Sequence, residues 1–163
     1  MWAALIAALV LASLALAGGE TIEDRLLREV ELFMGTPYVW GAEDAAGADC
    51  SGAMHYVFKR AGLPFPRMTS RQMRFILCHG ALHPYSAAHR FDFVWWTFSV
   101  GRPFGHVGLM DGDALHFWQA GRSTGFVRQA FWQGNYWDLH FAGCARWPAL
   151  EDAIRRDREE NHE

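Results

Sequence analysis

Runs of basic residues are missing from this 163-residue chain: 15 Lys and Arg are scattered among 18 Asp and Glu, for a net charge of −3. A nucleic-acid site needs a stripe of cations to displace counterions from phosphate, so that class has little support. Internal repeats, low-complexity stretches and signs of a second domain are also lacking. Neither a CxxC nor an HExxH pattern accompanies Cys78, His79, His83 and His89, which leaves a zinc site there weakly supported and no metal or cofactor required. Cysteine is scarce and odd in number: Cys50, Cys78 and Cys144. In an exported protein that leaves one free thiol and room for at most one bridge. What is abundant is apolar. Hydrophobic residues make up 51% of the chain, with eight Trp and twelve Phe. That is the composition of one globular domain with a dense aromatic core, large enough to fold without disulfides or metals.

The N-terminus is apolar from Trp2 to Ala17 except for Ser13. The run falls short of the roughly 20 residues of a membrane span, and Ala15-Leu16-Ala17 has the small-x-small pattern of a cleavage site. Residues 1–17 are therefore expected to be a signal peptide. No Lys or Arg precedes the run, so an uncleaved N-terminal membrane anchor is the alternative, and it would add weak membrane association. Both place the remainder outside the cytoplasm, in the periplasm, the extracellular space or the cell wall. No Cys follows the run, so lipid modification is not indicated. Residues 18–150 are expected to form the domain and 151–163 a charged tail, helix-compatible or disordered.

Local signals place helices first. Thr21 is a helix N-cap candidate with Glu23 and Asp24 in the first turn, Ile22, Leu26, Val30 and Phe33 recur near helical spacing, and Gly35 and Pro37 end the run. A second helix runs from Cys50 to Arg60, closed by Gly62 and Pro64; a third, capped by Thr69 or Ser70, runs to about Leu77. Strand signals follow at 91–98, 105–110, 113–118, 125–132 and 138–147. Helices followed by strands predict an α+β fold, with N-terminal helices packed on a central antiparallel β-sheet.

Cys50 opens its helix, where backbone N–H groups and the helix dipole favour a thiolate, so it is the expected nucleophile. Cys78, near a helix end, and Cys144, in an apolar strand, lack that placement and are expected to be inert core residues or a bridged pair. A thiol nucleophile needs a base, and the base an orienting partner. His106 and His116 flank one hairpin turn. A three-residue loop Met110-Asp111-Gly112 would pair residues whose numbers sum to 222 and set the two histidines opposite each other on one face, with Cβ atoms about 4.5–5.5 Å apart. A two-residue Asp111-Gly112 turn would put them on opposite faces. The three-residue loop is expected, with His106 as the base and His116 orienting its imidazole. Trp95, Trp96, Trp118 and Trp137 are expected in the core, with a cleft wall as the alternative.

Tyr38-Val39-Trp40-Gly41, Asp49-Cys50-Ser51-Gly52 and Gly105-His106-Val107-Gly108 followed by His116 together resemble the NlpC-type family of papain-like bacterial cell-wall peptidases. The resemblance spans about Glu20 to Trp147. It implies a papain-like fold and a Cys-His-His constellation of Cys50, His106 and His116. It also implies that Tyr38 helps an oxyanion hole and that Asp49 and Ser51 contact the free amine or nearby polar groups of a peptidoglycan stem peptide. Arg67, Thr69 and Gln72 fit the family's Arg-x-Ser-x-x-Gln segment, a structural feature. The implied activity is a cysteine endopeptidase cutting the bond between D-γ-glutamyl and the diamino acid. An amidase or acyltransferase on another cell-wall or lipid amide, or a non-catalytic wall-binding module, are the alternatives. The chain departs from the family pattern at Arg90-Phe91-Asp92, where Pro-Gly-Asp is usual, at Ala42, and in a hairpin two residues shorter than usual.

Overall fold

The computed structural model describes residues 19–161. The expected signal peptide therefore lies outside the described residues. Helix α1 (Ile22–Phe33) starts where expected: the Thr21 hydroxyl accepts from the Asp24 N–H while the Asp24 carboxylate accepts from the Thr21 N–H, a reciprocal cap. Ile22, Leu26, Val30 and Phe33 form its buried stripe. A two-stranded ribbon, β1 (Glu43–Asp44) and β2 (Gly47–Ala48), leads into α2 (Cys50–Arg60). Thr69 caps α3 (Ser70–Gln72). The expected helix then widens into a π turn over Met73–Leu77, with the Cys78 N–H donating five residues back to the Met73 carbonyl.

Five strands form one antiparallel sheet: β3 (Phe93–Trp96), β4 (His106–Met110), β5 (His116–Gly121), β6 (Gly125–Ala130) and β7 (Phe141–Ala145), in the order β6-β5-β4-β3-β7. The strand expected at 138–147 is shorter. The Asn135 side chain accepts from the Asp138 N–H and caps the helical turn α4 (Tyr136–Leu139), so extended pairing resumes only at Phe141. Alternation divides β3 between two cores. Phe93 and Trp95 face the helices with Val107, Leu109 and Phe126, whereas Val94 and Trp96 face a smaller aromatic cluster with Met110, Phe117 and Phe131. Covered on both sides, the strands read as continuous apolar runs. Each fully buried side chain of Leu or Phe size contributes about 1.5–3 kcal/mol.

The segment 151–163, expected as a separate tail, continues an ordered helix over its described residues. Helix α5 (Pro148–Glu160) buries Leu150, Ala153 and Ile154, and Asp157 accepts from the Ile22 N–H at the start of α1. A boundary at residue 150 would cut this helix in its first turn. Cys78 and Cys144 are free, buried thiols, one in each core cluster. Among the described residues no helix is long and apolar enough to cross a membrane, and no three His, Cys, Asp or Glu converge as a metal site.

Candidate active site

Cys50 is the first residue of α2, and the chain reaches it through an N-cap that fixes its direction. Asp49 has extended backbone, and its carboxylate accepts from the Gly52 N–H at 2.6 Å. The helix start packs against the loop before it: a Cβ on Gly52 would lie 2.0 Å from the Ala42 carbonyl oxygen. Hence the residue two after Cys50 must be glycine. The start of β4 meets this helix end, and the Val107 N–H points at the Cys50 sulfur.

His106 stands at the same end of β4. Its imidazole lies among the rings of Trp96, Phe98 and Trp137, at centroid distances of 5.5, 5.7 and 5.9 Å. Its Nε2 is 2.9 Å from Gln119 Oε1. Because the amide oxygen only accepts, Nε2 carries the proton, and Nδ1 is left as the nitrogen free to take one. Gln119 is 1% exposed, a lone polar side chain inside the apolar run 117–120.

His116 does not occupy the orienting position expected for it. The strands pair Gly108 with Gln119 and Met110 with Phe117, so paired numbers sum to 227 and not 222. An odd sum exchanges the faces: Gln119 shares the face of His106, and His116 belongs to the other. In that register His106 would stand opposite Gly121, which places His116 five positions away along the strand, roughly 16 Å at ~3.3 Å per residue. The cause is a longer loop. Asp113 accepts from the Leu115 and His116 N–H groups and from the His116 ring, and it pairs with Arg128. The Asp111 N–H donates to the His116 carbonyl and closes the loop. Gly112 and Ala114 adopt positive φ of 90° and 62° to make the turn. Gln119 reaches His106 diagonally, across a position where only glycine fits: a Cβ on Gly108 would lie 2.5 Å from the Trp118 carbonyl oxygen.

The electrostatics differ from those expected of an exposed helix start. Burial pushes the Cys50 thiol up to about 11, and the Asp49 charge adds to this, against the N–H groups of Val107, Ser51 and Cys50 itself. Burial among rings also holds His106 down to about 4, opposed by the Gln119 hydrogen bond and the Asp49 charge. At neutral pH the resting pair is thus an uncharged thiol and an uncharged imidazole. The helix N-terminus lowers the cost of a thiolate without making it the resting form.

Asp49 and Ser51 are buried on either side of Cys50 in the chain and tied to Arg67. The guanidinium donates to both Asp49 oxygens at 3.1–3.2 Å and to the Ser51 hydroxyl at 2.8 Å, and it pairs with Glu43 at 2.5 Å. Burial raises the Asp49 carboxyl, but the Gly52 N–H, the Ser51 hydroxyl, Arg67 and the Gly41 N–H outweigh it and hold it below its ordinary value. Tyr38 is close enough to Cys50 for a thiolate charge to act on it. Burial and that charge raise its phenol, while the nearby Arg122 guanidinium opposes them.

Two cavities meet at Cys50. The larger, about 600 Å³, is lined by His106, Gln119, Phe98, Tyr136, Trp137, Arg102 and Arg122. The smaller, about 440 Å³, is lined by Asp49, Ser51, Arg67, Thr69 and Gln72. Cys50, Tyr38, Trp40 and Gly105 border both. Of the four tryptophans weighed as cleft walls, Trp137 lines the larger cavity, while Trp95, Trp96 and Trp118 are buried. Trp40, 74% exposed, is a wall that the pattern did not single out.

Among proteins of known kind, a γ-D-glutamyl-L-lysine dipeptidyl-peptidase of Bacillus cereus is 28% identical over 107 residues, covering 64% of this chain and 31% of that protein. An enzyme of the same name from Bacillus subtilis is 32% identical over 106 residues, covering 63% and 34%. The chain thus spans about a third of the length of these curated relatives. The crystal structure of an NlpC/P60 family protein from Bacillus cereus superposes with a TM-score of 0.63 at 23% identity, covering 77% of this chain and 40% of that one. It establishes the likeness of fold. The model of the NlpC/P60 family matches residues 35–146, a span that contains Tyr38, Cys50, His106 and Gln119, and the chain belongs to that family.

Proposed function

We propose that this protein is a cysteine peptidase that hydrolyses an amide bond in peptidoglycan stem peptides, acting through Cys50, His106 and Gln119. The observation that carries the reading is the junction of the two cavities: a thiol at a helix N-terminus lines one cavity with an imidazole whose free nitrogen is set by a buried amide. The names of the two Bacillus relatives support the choice of substrate, with the bond following D-γ-glutamyl as the one cut.

In this mechanism His106 Nδ1 takes the Cys50 proton as sulfur attacks the substrate carbonyl. An S–C bond forms, and the oxyanion is held by the Cys50 N–H and the Tyr38 hydroxyl. The C–N bond then breaks as His106 returns the proton to the leaving amine. Water, deprotonated by His106, attacks the thioester, releases the acid and restores the thiol. Gln119 keeps the imidazole in the tautomer this sequence needs and stabilises the imidazolium between steps. The neutral resting pair fits proton transfer concerted with attack.

His106 lines the larger cavity and not the smaller, so the leaving amine belongs in the larger and the acyl part in the smaller. On the acyl side the Asp49 carboxyl, held below its ordinary value, stays charged at neutral pH and lines the cavity beside Ser51, where it can receive a substrate ammonium. A cell-wall substrate accords with export through residues 1–17. The test is digestion of purified muropeptides by the protein beside its Cys50→Ala variant, with products read by mass spectrometry. Cleavage by the unaltered protein alone supports the peptidase. Intact muropeptides after prolonged digestion by folded protein would remove the cell-wall assignment.

A further inference from the structure

The larger cavity carries an uncompensated positive charge. Arg102 lies in the loop between β3 and β4, and Arg122 in the turn between β5 and β6; both loops emerge at the end of the sheet where His106 begins β4. Both side chains line the cavity, and no Asp or Glu does. Neither arginine forms an ion pair among the described residues, a state shared with Arg25, Arg71, Arg74, Arg156 and Arg158, none of which lines this cavity. Arg122 is positioned rather than loose. Its guanidinium lies 5.7 Å from the Trp40 ring centroid and near enough to the Tyr38 phenol to oppose the rise of its pKa. Phe98, Tyr136 and Trp137 add aromatic wall to the cavity, beside the neutral polar side chains of Gln119, Ser123, Thr124 and Gln129.

We infer that Arg102 and Arg122 form a carboxylate-recognition subsite for the leaving fragment, so that the amino acid released on the His106 side must carry a free carboxylate. The inference rests on the peptidase reading for the assignment of sides, but the subsite is a property of the cavity. A guanidinium meets a carboxylate with directed, charge-assisted hydrogen bonds. The charge balance differs between the two cavities and sets the direction of the substrate: Asp49 and Arg67 offset each other on the acyl side, while the two arginines leave the leaving side positive and suited to a carboxylate.

The experiment compares L-Ala-γ-D-Glu-L-Lys with the same peptide ending in a carboxamide, measuring kcat/KM for the unaltered protein, Arg102→Gln and Arg122→Gln. The unaltered protein is expected to prefer the carboxylate by roughly 10- to 100-fold, the scale of one or two charged hydrogen bonds. Each substitution is expected to pull the ratio toward one. A merely structural role would lower both rates and leave the ratio unchanged, and that result, or equal rates with the unaltered protein, overturns the subsite. Binding of L-lysine against L-lysinamide to Cys50→Ala, read by calorimetry, separates the two readings. If no peptide is cut but L-lysine binds more tightly and Arg122→Gln abolishes the difference, the subsite stands and the peptidase reading fails. If neither discrimination is seen, the subsite fails.

Discussion

Acid should destabilise this protein through His106, and the size of the effect follows from its surroundings. The imidazole is held at about 4 by burial among Trp96, Phe98 and Trp137, against an ordinary value of 6.5. Between those values the unfolded chain binds a proton at this residue and the folded chain does not. Stability therefore rises with pH through the window and is lost as pH falls from about 6.5 to about 4. The loss relative to pH 8 is about 2 kcal/mol at pH 5 and about 3 kcal/mol at pH 4, from ~1.36 kcal/mol per unit. His106→Gln keeps a polar side chain of similar size and cannot titrate. Urea unfolding followed by tryptophan fluorescence at pH 8 and pH 5 should show the unaltered protein losing about 2 kcal/mol more than the variant. Carboxylates held low, such as Asp49 and Asp113, titrate in both proteins and cancel in the difference. Equal losses in the two proteins would refute the argument that burial keeps His106 neutral.

Gln119→Ala should cut kcat on a stem peptide roughly 10- to 100-fold through misplacement of the imidazole, while His116→Ala stays within about twofold. The acid limb of the Gln119→Ala rate profile should also move to lower pH, since the lost hydrogen bond raised His106; a large loss in His116→Ala alone would restore the expected triad. Iodoacetamide should label Cys50 slowly at pH 7 and roughly tenfold faster for each pH unit up to about 10, as read by peptide mass mapping. Fast labelling at pH 7 would show a resting thiolate. Gly108→Ala should lower stability by about 1–3 kcal/mol or more, because its new Cβ meets the Trp118 backbone oxygen and not a side chain that can swing away. An unchanged melting temperature would contradict the close strand contact.

Much of the fold was legible locally. Thr21 with Asp24, Asp49 with Gly52, and Thr69 with Gln72 are caps written within a few residues, so the starts of α1, α2 and α3 follow from short-range hydrogen bonds. Cys50 and His106 were legible for the same reason: a helix start and a strand following glycine are local patterns. The orienting residue was not. It depends on the register of β4 against β5, and that register is set by a loop whose length reflects Asp113 binding three groups, with Arg128 reaching in from β6. The odd sum puts Gln119, and not His116, on the face of His106.

The sequence by itself determined the helix starts, the strand-forming segments and the choice of Cys50 and His106 as candidates for thiol and base, since each rests on residues close together along the chain. Tertiary structure alone decided the state and setting of those groups. Burial, which sums contributions from β3, β4 and α4 around one imidazole, makes the resting pair neutral against the pull of the helix dipole. The different charge balance of the two cavities likewise arises from loops far apart in the chain. Arg67 meets Glu43 and Asp49 on one side of Cys50, and Arg102 and Arg122 line the other, because the packing of sheet on helix brings their backbones to a common edge.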